Sequence, residues 1–318
     1  MNAGDNTVFW HPKIYKEDVP QKVCEFMNDQ FPNGLHGQPW TREYFNWKIN
    51  GNNGILVSAE SQNGEVLGIT TVNYKEISYK GEMIKVGEVG DAYTHTKLRK
   101  YMKKTPHNED DQLSSYQKKS AFGALVYYLE KYSRQDKVEI LIGMPNSNAL
   151  PAWKKLGYCE GLEFGVSKEF NFTYILQNYK RHRNFDCLNI FDNSNLVIAK
   201  LVQHKNQLKD FSYITRRFVN SPSTKFHFVF VVRDDVLIDL IIYKLQRTKF
   251  FIKKCIICYK LKNDNELFET KDLISNVLIE KWIYKSKANL RLPIIYKNFN
   301  MNIDFSKVNL EAFHFDAH

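Results

Sequence analysis

Val86-Gly87-Glu88-Val89-Gly90-Asp91-Ala92-Tyr93-Thr94-His95 and Gly143-Met144-Pro145-Asn146-Ser147-Asn148-Ala149 are the two stretches on which the fold turns. The second runs on to Trp153-Lys154-Lys155-Leu156-Gly157-Tyr158. Between them, Tyr116-Gln117-Lys118-Lys119-Ser120-Ala121-Phe122-Gly123-Ala124-Leu125-Val126 reads as a loop entering a helix. The first stretch is a strand with two carboxylates and two internal glycines. Glycines inside a strand mark a bulge or a close approach by a ligand.

Working outward, Asp18–Phe31 has helical spacing and is stopped by Pro32-Asn33-Gly34. Thr41 is the expected N-cap of a second helix over Tyr44–Ile49. Ile55–Glu60 and Val66–Ile77 flank Asn63-Gly64, a hairpin signal, and Tyr79-Lys80-Gly81-Glu82 turns into the strand Met83–Thr94. Three consecutive strands therefore form an antiparallel meander. Thr96–Ser115, with its basic and acidic clusters, reads as an insert. Leu125, Tyr128, Leu129 and Tyr132 make the stripe of the long helix, Val138–Gly143 is a strand, and Ser147–Leu156 is a short helix capped by Gly157. Tyr158–Phe164 and Val166–Tyr174 are expected as two further strands.

The pattern then repeats. Tyr44–Ile49, Gly51-Asn52-Asn53-Gly54 and Ile55–Val57 have counterparts in Tyr213–Phe218, Asn220-Ser221-Pro222-Ser223 and Phe226–Val229. Asp234-Asp235 would be the hairpin turn of the second copy, and Leu273–Ile283 its helix. The expected organisation is a domain over residues 1–176, a linker over 177–184 and a second domain over 185–318.

Hydrophobic content of 43% supports a packed core, and no apolar run reaches the roughly 20 residues of a membrane span. No charged segment followed by an apolar stretch opens the chain, and the five cysteines show no framework. A cytoplasmic protein without membrane insertion is expected. The net charge is +10. Residues 1–175 carry 21 basic and 21 acidic groups and 176–318 carry 24 and 14, so the excess lies in the second part. It reads either as a solvated face or as a field for a polyanion. Cys255-Ile256-Ile257-Cys258 lies in an apolar strand with its sulfurs on opposite faces, and no metal spacing involves His95 or His107. No metal is expected.

Moving an acyl group from a thioester to an amine requires a backbone edge for an extended arm, free amides for a pyrophosphate, and a carboxylate to take the amine proton. Glu88 and Asp91 can supply the base, and the helix opened by Gln117–Phe122 can supply the amides, with Lys118 and Lys119 adding charge.

These residues resemble the GNAT superfamily of coenzyme A-dependent N-acyltransferases over about residues 8–170. Its loop [Gln/Arg]-x-x-Gly-x-[Gly/Ala] is matched at Gln117, while Ser120 and Phe122 replace its two small residues. Asn146-Ser147-Asn148-Ala149 and Lys155-Leu156-Gly157-Tyr158 match its Asn-x-x-Ala and Lys-x-Gly-[Phe/Tyr] segments. The resemblance implies an α+β fold with a mixed, mostly antiparallel sheet flanked by helices, here in tandem, with a degenerate second half lacking the cofactor loop. It implies acetyl-CoA held by the backbone of Ala92, Tyr93 and Thr94, by Gln117, Lys118, Lys119, Ser120, Ala121 and Phe122, and by Asn146. Glu88 is the implied general base and Asp91 the alternative; alternation puts Asp91 and Tyr93 on the face opposite Glu88 unless a bulge changes the parity.

Trp153 stands where many of these enzymes have a tyrosine that protonates the thiolate, which leaves solvent, Tyr93 or Tyr158 for that task, or a thiolate that departs unprotonated. Trp47 and Lys48, on the helix bordering the acceptor site, and Arg216 are candidate acceptor contacts, with core packing the competing role for Trp47. The expected activity is N-acetylation of a small-molecule amine by a monomer or homodimer. By analogy the amine is a nucleotide-linked amino sugar of bacterial surface-polysaccharide biosynthesis. The alternative is a weak or non-catalytic relic binding a nucleotide or nucleic acid through its basic second domain.

Overall fold

The computed structural model describes residues 10–32, 34, 38–51, 53–100, 120–171, 186–191, 194–208, 211–222, 224–247, 253–261, 277–284, 290–300 and 302–308. They divide into two compact units, residues 10–162 with 293–308, and residues 163–292.

The first unit begins with β1 (Trp10–Tyr15), α1 (Gln21–Gln30), α2 (Arg42–Ile49), β2 (Gly54–Ser61), β3 (Val66–Tyr79) and β4 (Glu82–Thr94). After α3 (Thr96–Lys100) come α4 (Ala121–Gln135), β5 (Ile140–Gly143) and α5 (Leu150–Lys155). Local chemistry sets several boundaries. Thr41 Oγ1 accepts from the Tyr44 amide at 3.2 Å and so starts α2 where the sequence places it. Lys80 and Gly81, both at positive φ, make the tight turn that pairs β3 with β4.

The first unit's strands run β1-β2-β3-β4-β5-β12, where β12 is Leu290–Asn298. All neighbours are antiparallel except β4 and β5, the two strands that α4 connects. One face of the sheet carries Ile55, Val57, Ala59, Val72, Tyr74 and Val89 against Ala124, Leu125 and Leu129 of α4. The other carries Leu56 and Ile69 against Val23, Phe26 and Met27 of α1 and Phe45 and Ile49 of α2.

The second unit repeats this order. It contains β7 (Asp186–Phe191), α6 (Ser194–Gln203), α7 (Phe211–Ile214) running into a π-turn over Thr215–Val219, β8 (His227–Arg233), β9 (Val236–Arg247), β10 (Lys253–Lys260) and β11 (Val277–Tyr284). Its strands run β7-β8-β9-β10-β11-β6, with β10 and β11 again the parallel pair. Here β6 is Cys159–Asn171. Asp234 and Asp235, both at positive φ, form the expected hairpin turn. Cys258 is the extra residue of a bulge in β10, so the fourth strand is bulged in both units.

Three expectations change. Residues 277–283, assigned to a helix with 273–276, form a strand paired with β10 and β6. Cys159–Asn171 is one strand where two were expected. Residues 293–308, assigned to the second domain, pack in the first unit, and the boundary falls inside β6. The expected linker and most of the insert lie outside the described residues.

Candidate active site

The ladder between β4 and β5 has three rungs, Val86–Ile140, Gly87–Leu141 and Glu88–Ile142. The ladder ends there: β5 stops at Gly143, one residue past Ile142, while β4 continues to Thr94. Two residues past Glu88, Gly90 opposes Thr71, and Tyr93 opposes Ile69, so Asp91 and Ala92 together face Thr70. Asp91 holds the bulge with φ at +43°, in the left-handed region that aspartate tolerates better than most residues.

The bulge restores the parity that simple alternation breaks. Glu88 pairs with Asn73, and Asp91 reaches Thr71, so both carboxylates lie on the α1–α2 face. Each meets a buried lysine. Glu88 pairs with Lys75 of β3, whose side chain is fully buried. Asp91 Oδ2 accepts from Lys48 Nζ of α2 at 2.7 Å and from Thr71 Oγ1 at 2.9 Å. Lys48 also lies 5.2 Å from the Tyr44 ring centre. Burial of these charges requires such pairing, and none of the four side chains is more than 10% exposed.

Tyr93 shares this face. Its hydroxyl donates to Gln30 Oε1 at 3.0 Å, and its ring meets the edge of Phe31 at 5.0 Å. Trp47 is half-buried against the Tyr44 ring, as part of the α1–α2 packing. Arg216 lies in the second unit, on the π-turn, with its guanidinium 5.8 Å from the Tyr213 ring centre.

At the opening of α4, Ser120 Oγ accepts from the Gly123 amide at 2.9 Å, so the residue in the glycine position serves as a helix cap. Ala121 is buried in the core. Phe122, in the second small position, meets Trp153 edge-on at 4.9 Å, and Trp153 meets Tyr158 at 4.7 Å. Trp153 and Tyr158 are both core residues. Asn146 Oδ1 accepts from the Ala149 amide at 2.9 Å and so shapes the turn into α5. Gln117, Lys118 and Lys119 lie outside the described residues.

The two strand glycines have different reasons. A Cβ at Gly87 would lie 2.6 Å from Leu141 Cδ2 and 2.7 Å from Val72 Cγ2, so core packing excludes it. A Cβ at Gly90 would make only ordinary contacts, with Thr71 Oγ1 at 3.7 Å and Lys48 Nζ at 3.8 Å. Lys75 and Thr71 were not among the sequence candidates. The Lys80-Gly81 turn fixes the register that sets Asn73 opposite Glu88, and Lys75 follows two residues along the same face. Among the described residues no cluster of metal-ligating side chains forms, and no helix is long and apolar enough to cross a membrane.

A parallel strand pair joined through a crossover helix, with the longer strand running past the ladder into a bulge, is the arrangement of the GCN5-related N-acetyltransferase (GNAT) fold, and the chain carries it with a second GNAT-like half. Solved structures agree. A probable N-acyltransferase from Enterococcus faecalis matches with a TM-score of 0.56 at 10% identity, over 92% of this chain and 73% of that one. A GCN5-related N-acetyltransferase from Anabaena variabilis matches with a TM-score of 0.56 at 10% identity, over 91% and 73%. A tandem GNAT protein from the clavulanic acid biosynthesis pathway matches with a TM-score of 0.52 at 8% identity, over 91% and 98%. No family model and no curated protein matches the sequence.

Proposed function

We propose that the first unit is an acetyl-CoA-dependent N-acetyltransferase acting on a small primary amine. The carrying observation is that β4 runs on past the end of its ladder with β5 at Glu88, into the Asp91–Ala92 bulge. An extended pantetheine arm would lie along this continuation of β4 and bond to the backbone of Ala92–Thr94. The amides of Ala121 and Phe122 open α4 and would face the pyrophosphate. Bound acetyl-CoA would supply an acyl group activated as a thioester.

Glu88, fixed by Lys75, would take the acceptor's proton directly or through a water. Backbone amides at the bulge would donate to the developing oxyanion. Among the described residues, Tyr93 donates to Gln30 and Tyr158 and Trp153 are core residues, so solvent would protonate the thiolate. The acceptor proposed first remains a nucleotide-linked amino sugar, in keeping with the basic second part.

Calorimetric titration with acetyl-CoA, followed by thiol release with a panel of amines, tests this reading. Glu88→Gln should bind acetyl-CoA as before and lose about 10²-fold or more in rate. Full activity in that variant would remove Glu88 from the mechanism. The second reading, a relic that binds a nucleotide or nucleic acid, draws on Trp153 standing in the core where a hydroxyl acid is expected. Binding of acetyl-CoA without turnover on any amine would favour it.

A further inference from the structure

The acceptor side of the bulge already holds an amine. Helix α2 brings Lys48 Nζ to 2.7 Å from Asp91 Oδ2 and to 3.8 Å from the point a Cβ on Gly90 would occupy. Gly90, Asp91 and Ala92 are among the first residues of β4 beyond its last rung with β5. An extended thioester arm lying along that stretch of β4 would bring its carbonyl alongside them. Lys75, the other buried lysine of this face, is paired with Glu88, at the last rung of the ladder. Asp91 Oδ2 is fixed by Thr71 as well as by Lys48, which aims a proton acceptor at the Lys48 nitrogen.

We infer that Lys48 is itself an acyl acceptor: an acyl thioester bound along β4 beyond its ladder with β5 modifies the Lys48 Nζ, with Asp91 as the proton acceptor. This rests on the coenzyme reading given under Proposed function. In the step, the Lys48 ammonium gives a proton to Asp91 and the freed nitrogen forms a bond to the thioester carbonyl carbon. The carbon–sulfur bond breaks and the thiolate leaves. Of the two protons the ammonium loses, one ends on the thiol and the other passes to solvent. The product is an uncharged amide, which can no longer form an ion pair with Asp91. Self-acylation therefore cuts the tie between α2 and the bulge and limits the protein to one such event per site.

The experiment uses the full-length chain, deuterium-labelled acetyl-CoA and no amine, with site occupancy read by peptide mass spectrometry and coenzyme binding read separately by calorimetry. Lys97 and Lys154, about half exposed, give the background of uncatalysed acetylation. Label at Lys48 is expected to exceed theirs by about tenfold or more, a small part of what proximity can supply. Without a seat for the thioester, a side chain only 4% exposed should react more slowly than either. Asp91→Asn should lower the label at Lys48 while leaving that at Lys97 and Lys154 as it was. Binding of acetyl-CoA with no excess label at Lys48 overturns this inference and spares the coenzyme reading. Absence of any coenzyme binding overturns both. Excess label that persists in urea-unfolded chain also overturns it, because the reactivity would then be that of the sequence and not of the site.

Discussion

Replacing Lys297 by Met should destabilise the first unit far more than the loss of a surface charge would. Lys297 lies on β12, in the last part of the chain, yet its Nζ donates to both carboxylate oxygens of Glu130 on α4 at 2.8 Å and to the Leu156 carbonyl at 3.0 Å. The Glu130 side chain is 5% exposed and that of Lys297 17%. The Lys297→Met chain keeps a buried carboxylate with its cation gone, a change that costs about 3–5 kcal/mol. An exposed pair would cost about 1 kcal/mol or less. Glu130→Leu together with Lys297→Met removes both charges from the interior, so the double variant should recover much of the loss. Urea unfolding followed by tryptophan fluorescence suits the measurement, since Trp10, Trp40, Trp47 and Trp153 all belong to the first unit and only Trp282 to the second. A single variant losing under about 1 kcal/mol, or a double variant no better than the single, would refute the reasoning.

Gly87→Ala should cost about 1–3 kcal/mol, because its methyl would overlap Leu141 and Val72, whereas Gly90→Ala should leave stability within about 0.5 kcal/mol; thermal melts of the two compare them. With Ellman's reagent, exposed Cys159 should react well before Cys24 and Cys258, which are buried and whose thiols burial pushes up to about 11; equal rates for the three would contradict the packing. Burial, with Lys200 nearby, lowers the His204 pKa below its ordinary 6.5. The unfolded chain then binds more protons there than the folded one between the lowered value and about 6.5, so the second unit should lose stability as pH falls through that window. His204→Leu should flatten that part of the urea-midpoint profile.

The meander, the α2 boundary and the order of elements around the site were legible because local chemistry specifies them. Asn63-Gly64 and Lys80-Gly81 fix turns, and Thr41 caps a helix through its own side chain. Glu88 could be placed on the strand that follows the Lys80-Gly81 turn. The side to which Asp91 turns could not, since one bulge residue at positive φ reverses every parity argument after it. Val277–Ile283 misled because its apolar residues suit both a helical face and a doubly covered strand, and pairing with β10 and β6 decided between them.

What the sequence determined by itself is the local alphabet of the first unit: turns, caps, the strand with Glu88 and Asp91, and the resemblance those carry. Only the tertiary structure decided who meets whom. It set Lys75 against Glu88 and Lys48 against Asp91, sent Trp153 and Tyr158 into the core, and laid β12 beside β5 across nearly half the chain. The division has a physical cause. Turns and caps are settled by atoms a few residues apart, whereas a buried lysine or an open strand edge takes whichever distant partner satisfies its charge or its hydrogen bonds. That choice is made by packing, after the local elements already exist.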